Sequence, residues 1–351
     1  MASSTLNPGL LEQLLQGRDL SSDQAAALMQ LWLDGAIEPV LTGALLAGLR
    51  AKGVSGAELA AMAEVLRNAC VLPGERPPVP LVDTCGTGGT RVESGLDSFN
   101  VSTAVAFTAA ACGVHIAKHG NRSASGRVGS ADVLEALGIN LAAPTSAALA
   151  ALPRTGVTFL FAPGWHPSLA GLAPLRKALG VRTVFNLLGP LVNPLRPEAH
   201  VLGVARTDLL DPMADALRRL GMKRAVVVHG HGGLDEATLS GPSALRVLEN
   251  GQVREEWLDP EALGLQTAPP EAIRGGDLPT NTAILEAVLQ GRGNSAHSDV
   301  VALNTALVLW VAGRCETFAT GLAQARTALG SGEPWRRLEA LRTELGNSAA
   351  G

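Results

Sequence analysis

The sequence predicts an α/β protein: a small N-terminal helical domain hinged to a larger α/β domain with a mostly parallel central sheet. Three observations carry this. Residues 1–72 show helical patterning only. The run Pro73-Gly74-Glu75-Arg76-Pro77-Pro78-Val79-Pro80 cannot continue a helix. After it, short β-rich runs alternate with helical stretches to the end of the chain. The units expected are therefore residues 1–72, a hinge linker over 73–80, and residues 80–351.

In the first unit, Ser21-Ser22-Asp23-Gln24 and Ser55-Gly56-Ala57-Glu58 match the capping box, in which a serine caps the helix and a Gln or Glu three residues on reaches back. Leu28, Leu31, Leu45, Leu46, Leu49, Leu59, Met62 and Leu66 supply apolar helical faces. The proline-rich run then acts as a stiff connector. Beyond it, strands are expected at 80–84, 114–118, 157–162, 200–205 and 224–229. Helices are expected near 100–112, 130–138, 145–152, 168–180 and 208–220. Parallel strands need crossover connections, so this alternation argues for a parallel sheet covered on both faces. Residues 245–258 read as a hairpin around Asn250-Gly251. Helices near 280–290, 298–312, 316–330 and 334–345 close the chain. Residues 99–117 lack Asp, Glu, Lys and Arg, but Asn100, Ser102, Thr103, Thr108 and the Gly113 break make them a buried helix and strand rather than a membrane span.

Bulk properties narrow the function. The chain is 46% hydrophobic and 17% charged, the balance of a folded soluble protein. A formal net charge of −4 offers no basic field for nucleic acid, and the absence of Tyr leaves little stacking surface for bases. Cys70, Cys85, Cys112 and Cys315 are scattered with no CxxC, which fits a reducing cytoplasm and no metal cage. Met1-Ala2-Ser3-Ser4-Thr5 shows no secretory signal pattern. The partners expected are small molecules, with neither nucleic acid nor membrane.

The chemistry concentrates in three loops. Asp83-Thr84-Cys85-Gly86-Thr87-Gly88-Gly89-Thr90 follows a short apolar run and precedes the helix that opens at Phe99-Asn100-Val101-Ser102-Thr103. Glycines let backbone N–H groups converge, and a helix start adds to their pull on anions, so the segment reads as a phosphate cradle or as a tight structural turn. It is neither a P-loop nor a dinucleotide fingerprint. Lys118-His119-Gly120-Asn121-Arg122-Ser123-Ala124-Ser125-Gly126-Arg127 sits at the end of the next strand, where ligands of such sheets gather. It reads as an anion site or a solvated loop. Ser130 reads as an N-cap of the following helix, and that helix start could also bind a phosphate oxygen.

Gly232-Gly233-Leu234-Asp235-Glu236 follows the strand Ala225-Val226-Val227-Val228-His229. Its adjacent carboxylates repel unless a cation neutralises them, which near phosphates points to Mg²⁺ and elsewhere to an acidic turn in water. Arg176 could clamp a carboxylate or lie on the surface. His166 could line a pocket or merely precede the helix. His229 and His231 lack a third ligand for zinc.

Together, Asp83–Gly89, Phe99–Thr103, Lys118–Ser123, Gly129-Ser130-Ala131-Asp132-Val133-Leu134-Glu135, the run Gly180-Val181-Arg182-Thr183-Val184-Phe185-Asn186-Leu187-Leu188-Gly189-Pro190-Leu191 and Gly233–Ala237 resemble the anthranilate phosphoribosyltransferase family over nearly the whole chain. The resemblance implies a helical domain completed by later helices from about 168–190, a homodimer formed through it, and a place in tryptophan biosynthesis. It implies that phosphoribosyl pyrophosphate is held by Gly86, Gly89, Thr90, Ser98, Asn100, Val101, Ser102, Thr103, Lys118, His119, Gly120, Asn121, Arg122, Ser123, Ala124, Ser125, Gly126 and Ser130. Ser102, Asp235 and Glu236 would hold two Mg²⁺ on its pyrophosphate. Gly86, Asn121 and Arg176 would bind anthranilate, with His119, His166 and the Gly189-Pro190 backbone nearby.

The reaction implied is displacement of pyrophosphate at the anomeric carbon by the aryl amine, with no side chain assigned as covalent nucleophile or general base. Thr90 departs from the family's Asp, in a link to Ser98 roughly four residues longer, a change that loops tolerate cheaply. Glu93 and Asp97 are candidates to replace that carboxylate. The rival readings are a pyrimidine nucleoside phosphorylase of shared architecture and a non-catalytic paralogue that binds nucleic acid, the latter opposed by the acidic charge and by Asp235-Glu236.

Overall fold

The computed structural model describes residues 9–88, 97–122 and 128–346. Seven strands, β1 (Leu81–Asp83), β2 (His115–Gly120), β3 (Val157–Phe161), β4 (Ala199–Gly203), β5 (Arg224–His229), β6 (Ser243–Glu249) and β7 (Gln252–Leu258), form one sheet in the order β3-β2-β1-β4-β5-β6-β7. The first five are parallel, and β6 and β7 add an antiparallel hairpin. Asn250 and Gly251 turn that hairpin with φ of 53° and 75°, the positive values such a turn requires. From β1 the chain steps outward to β2 and β3. It then returns to β4 on the other side of β1 and steps outward to β5. This reversal opens a crevice beyond the carboxyl ends of β1 and β4, where ligands of such sheets bind.

The sheet separates two apolar clusters. On β5, Val226 and Val228 face one and Ala225 and Val227 the other, the period-two alternation of a strand buried on both faces. The first cluster packs the helices Val101–Ala111 and Ser295–Val311 on the sheet. Every residue from Val300 to Val311 is buried, as expected of a helix enclosed on all sides. The second cluster joins the N-terminal helices Leu10–Leu15, Ser22–Leu33, Pro39–Lys52 and Gly56–Ala69 to the helix Leu210–Arg219 and to the opposite sheet face. The short helix Val184–Leu188 enters the same cluster, and Arg67 Nε donates to the Leu191 carbonyl at 2.7 Å.

Both capping boxes form. Ser21 Oγ accepts from Gln24 N at 3.2 Å and Gln24 Oε1 from Ser21 N at 2.9 Å, while Ser55 and Glu58 reciprocate at 3.3 and 2.8 Å. The proline-rich connector is tethered. Arg76 pairs with Glu198 at 2.7 Å, and Glu198 also accepts from Leu81 N at 2.8 Å. The helix expected over 168–180 is instead a 3-10 turn, Pro167–Leu172, followed by Ala173–Leu179. Pro174 lacks the N–H needed to continue a helix from the preceding turn and disfavours helical geometry before it. Among the described residues no helix is long and apolar enough to cross a membrane.

Candidate functional site

The loop after β1 is anchored from beneath. Asp83 is fully buried, and its Oδ1 accepts from Thr84 N, Cys85 N and His119 N at 2.7, 3.1 and 3.2 Å. Its Oδ2 accepts from Asn193 Nδ2 at 2.8 Å, and Asn193 also donates to the Ala117 carbonyl at 2.8 Å. One carboxylate thus fixes the ends of β1 and β2 and the 190s loop relative to each other, its buried charge met by four N–H donors. Farther along, Thr87 N donates to the Gly203 carbonyl at 2.9 Å, and Arg182 donates to the Thr87 carbonyl at 2.5 Å.

From β2, Lys118 reaches under the cradle. Its Nζ lies 3.1 Å from Ser102 Oγ and 3.3 Å from Thr84 Oγ1. Burial lowers its pKa, with the charges of Cys85, Asp83 and Asp235 acting against that effect. His119 follows, with Nδ1 2.9 Å from the Gly189 carbonyl and Nε2 buried without a partner. His166 packs against it edge-on, ring centroids 5.3 Å apart, and bonds the Val192 carbonyl through Nε2 at 3.0 Å. Burial lowers the pKa of both rings, that of His166 to about 4.

The acidic pair arrives from β5. The loop after His229 folds back over the carboxyl end of the sheet, against Gly203 at the end of β4, with Gly230 N bonded to the Leu234 carbonyl at 2.9 Å. Two glycines make room: a Cβ at Gly203 would fall 1.6 Å from the Asp235 carbonyl oxygen, and one at Gly230 would fall 2.0 Å from that of Glu236. No larger residue fits either place. Acting against burial, the Gly88 N–H lowers the Asp235 pKa and the Ser98 hydroxyl that of Glu236. Glu236 Oε1 is buried with no partner. Burial, then the neighbouring Asp235, pushes the Glu236 carboxyl up to about 8, and burial raises Asp235 as well. Two desolvated carboxylates with an orphaned oxygen suit a hard divalent cation. Among the described residues no third His, Cys, Asp or Glu joins them, so a cation there would take its remaining oxygens from hydroxyls such as that of Ser102, from a ligand or from water.

These loops wall a cleft of about 900 Å³. Of the residues expected from sequence, Gly86, Ser98, Asn100, Val101, Ser102, Lys118, His119, Gly120, Asn121, Arg122, Ser130, Arg176, Asp235 and Glu236 line it, as do Asp97, Gly189 and Pro190. Thr103 does not: its side chain is buried, with Oγ1 unpartnered, because one step along the helix from Ser102 turns it away. His166 stands behind His119 rather than in the lining. Arg122 pairs with Asp132 and Glu135 at 2.7 and 2.9 Å. Ser130 is not the N-cap; that is Gly129, whose N–H donates to Asp132 Oδ2 at 2.8 Å. Gly89, Thr90, Glu93, Ser123, Ala124, Ser125 and Gly126 lie outside the described residues.

Arg176 has no carboxylate partner among the described residues. Its guanidinium carbon lies 5.3 Å from the centre of the Phe185 ring, and burial lowers its pKa. Sequence reasoning missed Arg182 and Phe185 as lining residues, and the whole wall from Arg274 to Asn281. That wall is tied to the cradle helix by Gly275 N to the Asp97 carbonyl at 2.8 Å and Asn281 Nδ2 to Asn100 Oδ1 at 3.3 Å. Its one local signal is the Gly275-Gly276 pair.

The chain matches the family model "Glycosyl transferase family, a/b domain" over residues 78–334 and the corresponding helical bundle domain over residues 8–70. The anthranilate phosphoribosyltransferase of Synechococcus sp. (strain CC9311) is 65% identical over 338 residues, covering 96% of each chain. That of Prochlorococcus marinus (strain MIT 9313) is 62% identical over 336 residues, covering 96% of this chain and 95% of the other. The crystal structure of the Thermus thermophilus enzyme superposes with a TM-score of 0.88 at 42% identity, over 96% of this chain and 99% of that one. The Saccharomyces cerevisiae enzyme in complex with PRPP and Mg superposes with a TM-score of 0.85 at 25% identity, over 97% of each. The chain belongs to the anthranilate phosphoribosyltransferase family.

Proposed function

We propose that this protein transfers the 5-phosphoribosyl group of phosphoribosyl pyrophosphate to the amine of anthranilate, releasing pyrophosphate, as a step of tryptophan biosynthesis. The observation that carries the reading is the pairing of opposite needs in one cleft. In one lining the buried Asp235-Glu236 pair wants positive charge and the Arg176 guanidinium has no carboxylate partner among the described residues. A diphosphorylated sugar carrying Mg²⁺ answers the first and an aromatic carboxylic acid the second.

In this reading the loops after β1 and β2 and the start of the Val101–Ala111 helix hold the donor. Ser102, Asp235 and Glu236 would hold Mg²⁺, two ions per protomer, and the bound cations would supply charge stabilisation for the pyrophosphate leaving group. Lys118 orients Ser102 for that task. Asn121 and Arg176 fix anthranilate so that its amine stands in line with the anomeric carbon, saving an entropic cost of up to ~7–11 kcal/mol. The aryl amine is neutral at pH 7 and attacks without a covalent intermediate.

Residues 1–72 with 168–190 act as one unit that closes over the 73–80 connector and excludes water, which would otherwise consume the activated sugar. Val184, Phe185 and Leu188 share an apolar cluster with the N-terminal helices, which supports their belonging to one unit. Leu15 and Val40, 68% and 87% exposed, support a homodimer through the N-terminal helices. The four unpaired cysteines support a cytoplasmic setting.

The test is incubation with the donor, Mg²⁺ and anthranilate, following anthranilate fluorescence. Loss that requires all three supports the transfer. A steady signal, with phosphate-dependent release of base from a pyrimidine nucleoside, would overturn it.

A further inference from the structure

We infer that Asn304, on the helix Ser295–Val311 behind the sheet, is a positioning residue for the Asp235-Glu236 pair, an inference that rests on the reading of this pair as the metal site. Its side chain is 5% exposed and does not line the main cleft. Oδ1 accepts from Ala237 N at 2.9 Å, and Nδ2 donates to the Ala237 carbonyl at 2.8 Å. Nδ2 also donates to the Val300 carbonyl at 2.9 Å, one turn earlier on its own helix. The amide therefore grips both backbone groups of the residue next to Glu236, as a neighbouring strand would, and its own orientation is locked by the helix.

Packing alone does not hold the acidic pair. A cavity of about 40 Å³ lies between it and this helix, lined by Thr84, Ser102, Asp235, Glu236 and Asn304 among others. Two mutually repelling carboxylates, one with an orphaned buried oxygen, stand over that space. Without a clamp, the loop could relieve the repulsion by sinking back into it. Asn304 closes off that movement and sets the height at which both carboxylates meet the cleft. Partners bonded directly to metal ligands typically govern metal affinity by 10–100-fold; Asn304 acts one residue further away, through the Ala237 backbone, so the lower end of that range, about tenfold, is expected.

The test uses Asn304→Leu, which matches the amide in size but can neither donate nor accept, and Asn304→Ser, which is too short to reach both atoms of Ala237. Mn²⁺ binding is read by loss of the free-ion electron paramagnetic resonance signal, with phosphoribosyl pyrophosphate present and anthranilate absent. Both variants should bind Mn²⁺ about tenfold more weakly. Their KM for anthranilate should stay within about twofold of the parent, and saturating Mg²⁺ should restore kcat.

A merely structural residue would lower the melting temperature and the number of competent sites but leave the Mn²⁺ dissociation constant of those sites unchanged; that result overturns the proposal. The titration needs no turnover. An unmutated protein that binds Mn²⁺ but transfers nothing would sink the proposed reaction while the clamp stood or fell on its own data. An unmutated protein that binds no Mn²⁺ would overturn both.

Discussion

The cleft has two unlike walls. The sheet-end wall is built from buried polar groups bonded several times over: Asp83 to four N–H donors, Lys118 to Thr84 and Ser102, Asn193 to two chain segments. The other wall comes from Ala173–Leu179 and Phe185. That helix buries none of its residues, and Arg176 touches only the face of Phe185. Apart from the Asp235-Glu236 pair, the first wall is finished before any ligand arrives; the second keeps its cation in reserve. Preorganised groups belong where charge develops at the reacting centre, and adaptable ones suffice where an inert carboxylate has only to be held.

The largest effect should come from the one part of the sheet-end wall left electrically unfinished. Asp235→Asn combined with Glu236→Gln keeps the shape of the loop and removes both charges. Mg²⁺-dependent turnover should fall at least about a thousandfold, the scale of losing charge stabilisation at a leaving group. Full activity would remove the metal assignment and make the two walls equivalent.

On the reserve wall, Arg176→Ala should raise the KM for anthranilate about 10–100-fold, the worth of a charge-assisted bidentate contact. The KM for the donor should stay within about threefold. Equal effects on both substrates would mean that the walls do not divide the substrates as proposed. The converse probe, Asn193→Ala, takes a donor from a buried carboxylate and should cost about 1–3 kcal/mol of stability in urea unfolding. The anthranilate KM of the folded fraction should not move.

The same contrast governs what could be read from the chain beforehand. The glycine loop, the Lys118 cluster and the acidic pair are each continuous in sequence and follow strands, so local chemistry gave their place and fold topology gave their meeting point. The strand positions followed from alternation, and the Asn250-Gly251 turn from its backbone demand. Arg182, Asn193, Asn281 and Asn304 were silent because each acts across long stretches of chain, and a lone Asn or Arg carries no spacing. The Arg274–Asn281 wall was hidden for the same reason. Thr103 went the other way: it sits inside a telling motif, yet helical geometry turns its side chain into the core. The break at Pro174 was legible from the proline itself, and the apolar pattern around it masked that signal.

The subtlest effect concerns stability, and it sharpens the idea that the sheet-end wall is complete except for one charge. Burial, reinforced by Asp235, raises the Glu236 carboxyl from the ordinary carboxylate range to about 8. The folded protein therefore binds this proton more tightly than the unfolded chain does. Its stabilising contribution is whole below the unfolded value and disappears as pH rises through the folded one. In metal-free solution the melting temperature should thus decline between the ordinary carboxylate range and about pH 8. Mg²⁺ requires the ionised form, so its addition together with pyrophosphate should raise the melting temperature more at the alkaline end than at the acidic end. Glu236→Gln cannot ionise and should flatten the metal-free decline. A decline as steep in that variant as in the parent would locate the cost elsewhere in the molecule, and the unpaired oxygen of Glu236 would no longer mark where the wall awaits its cation.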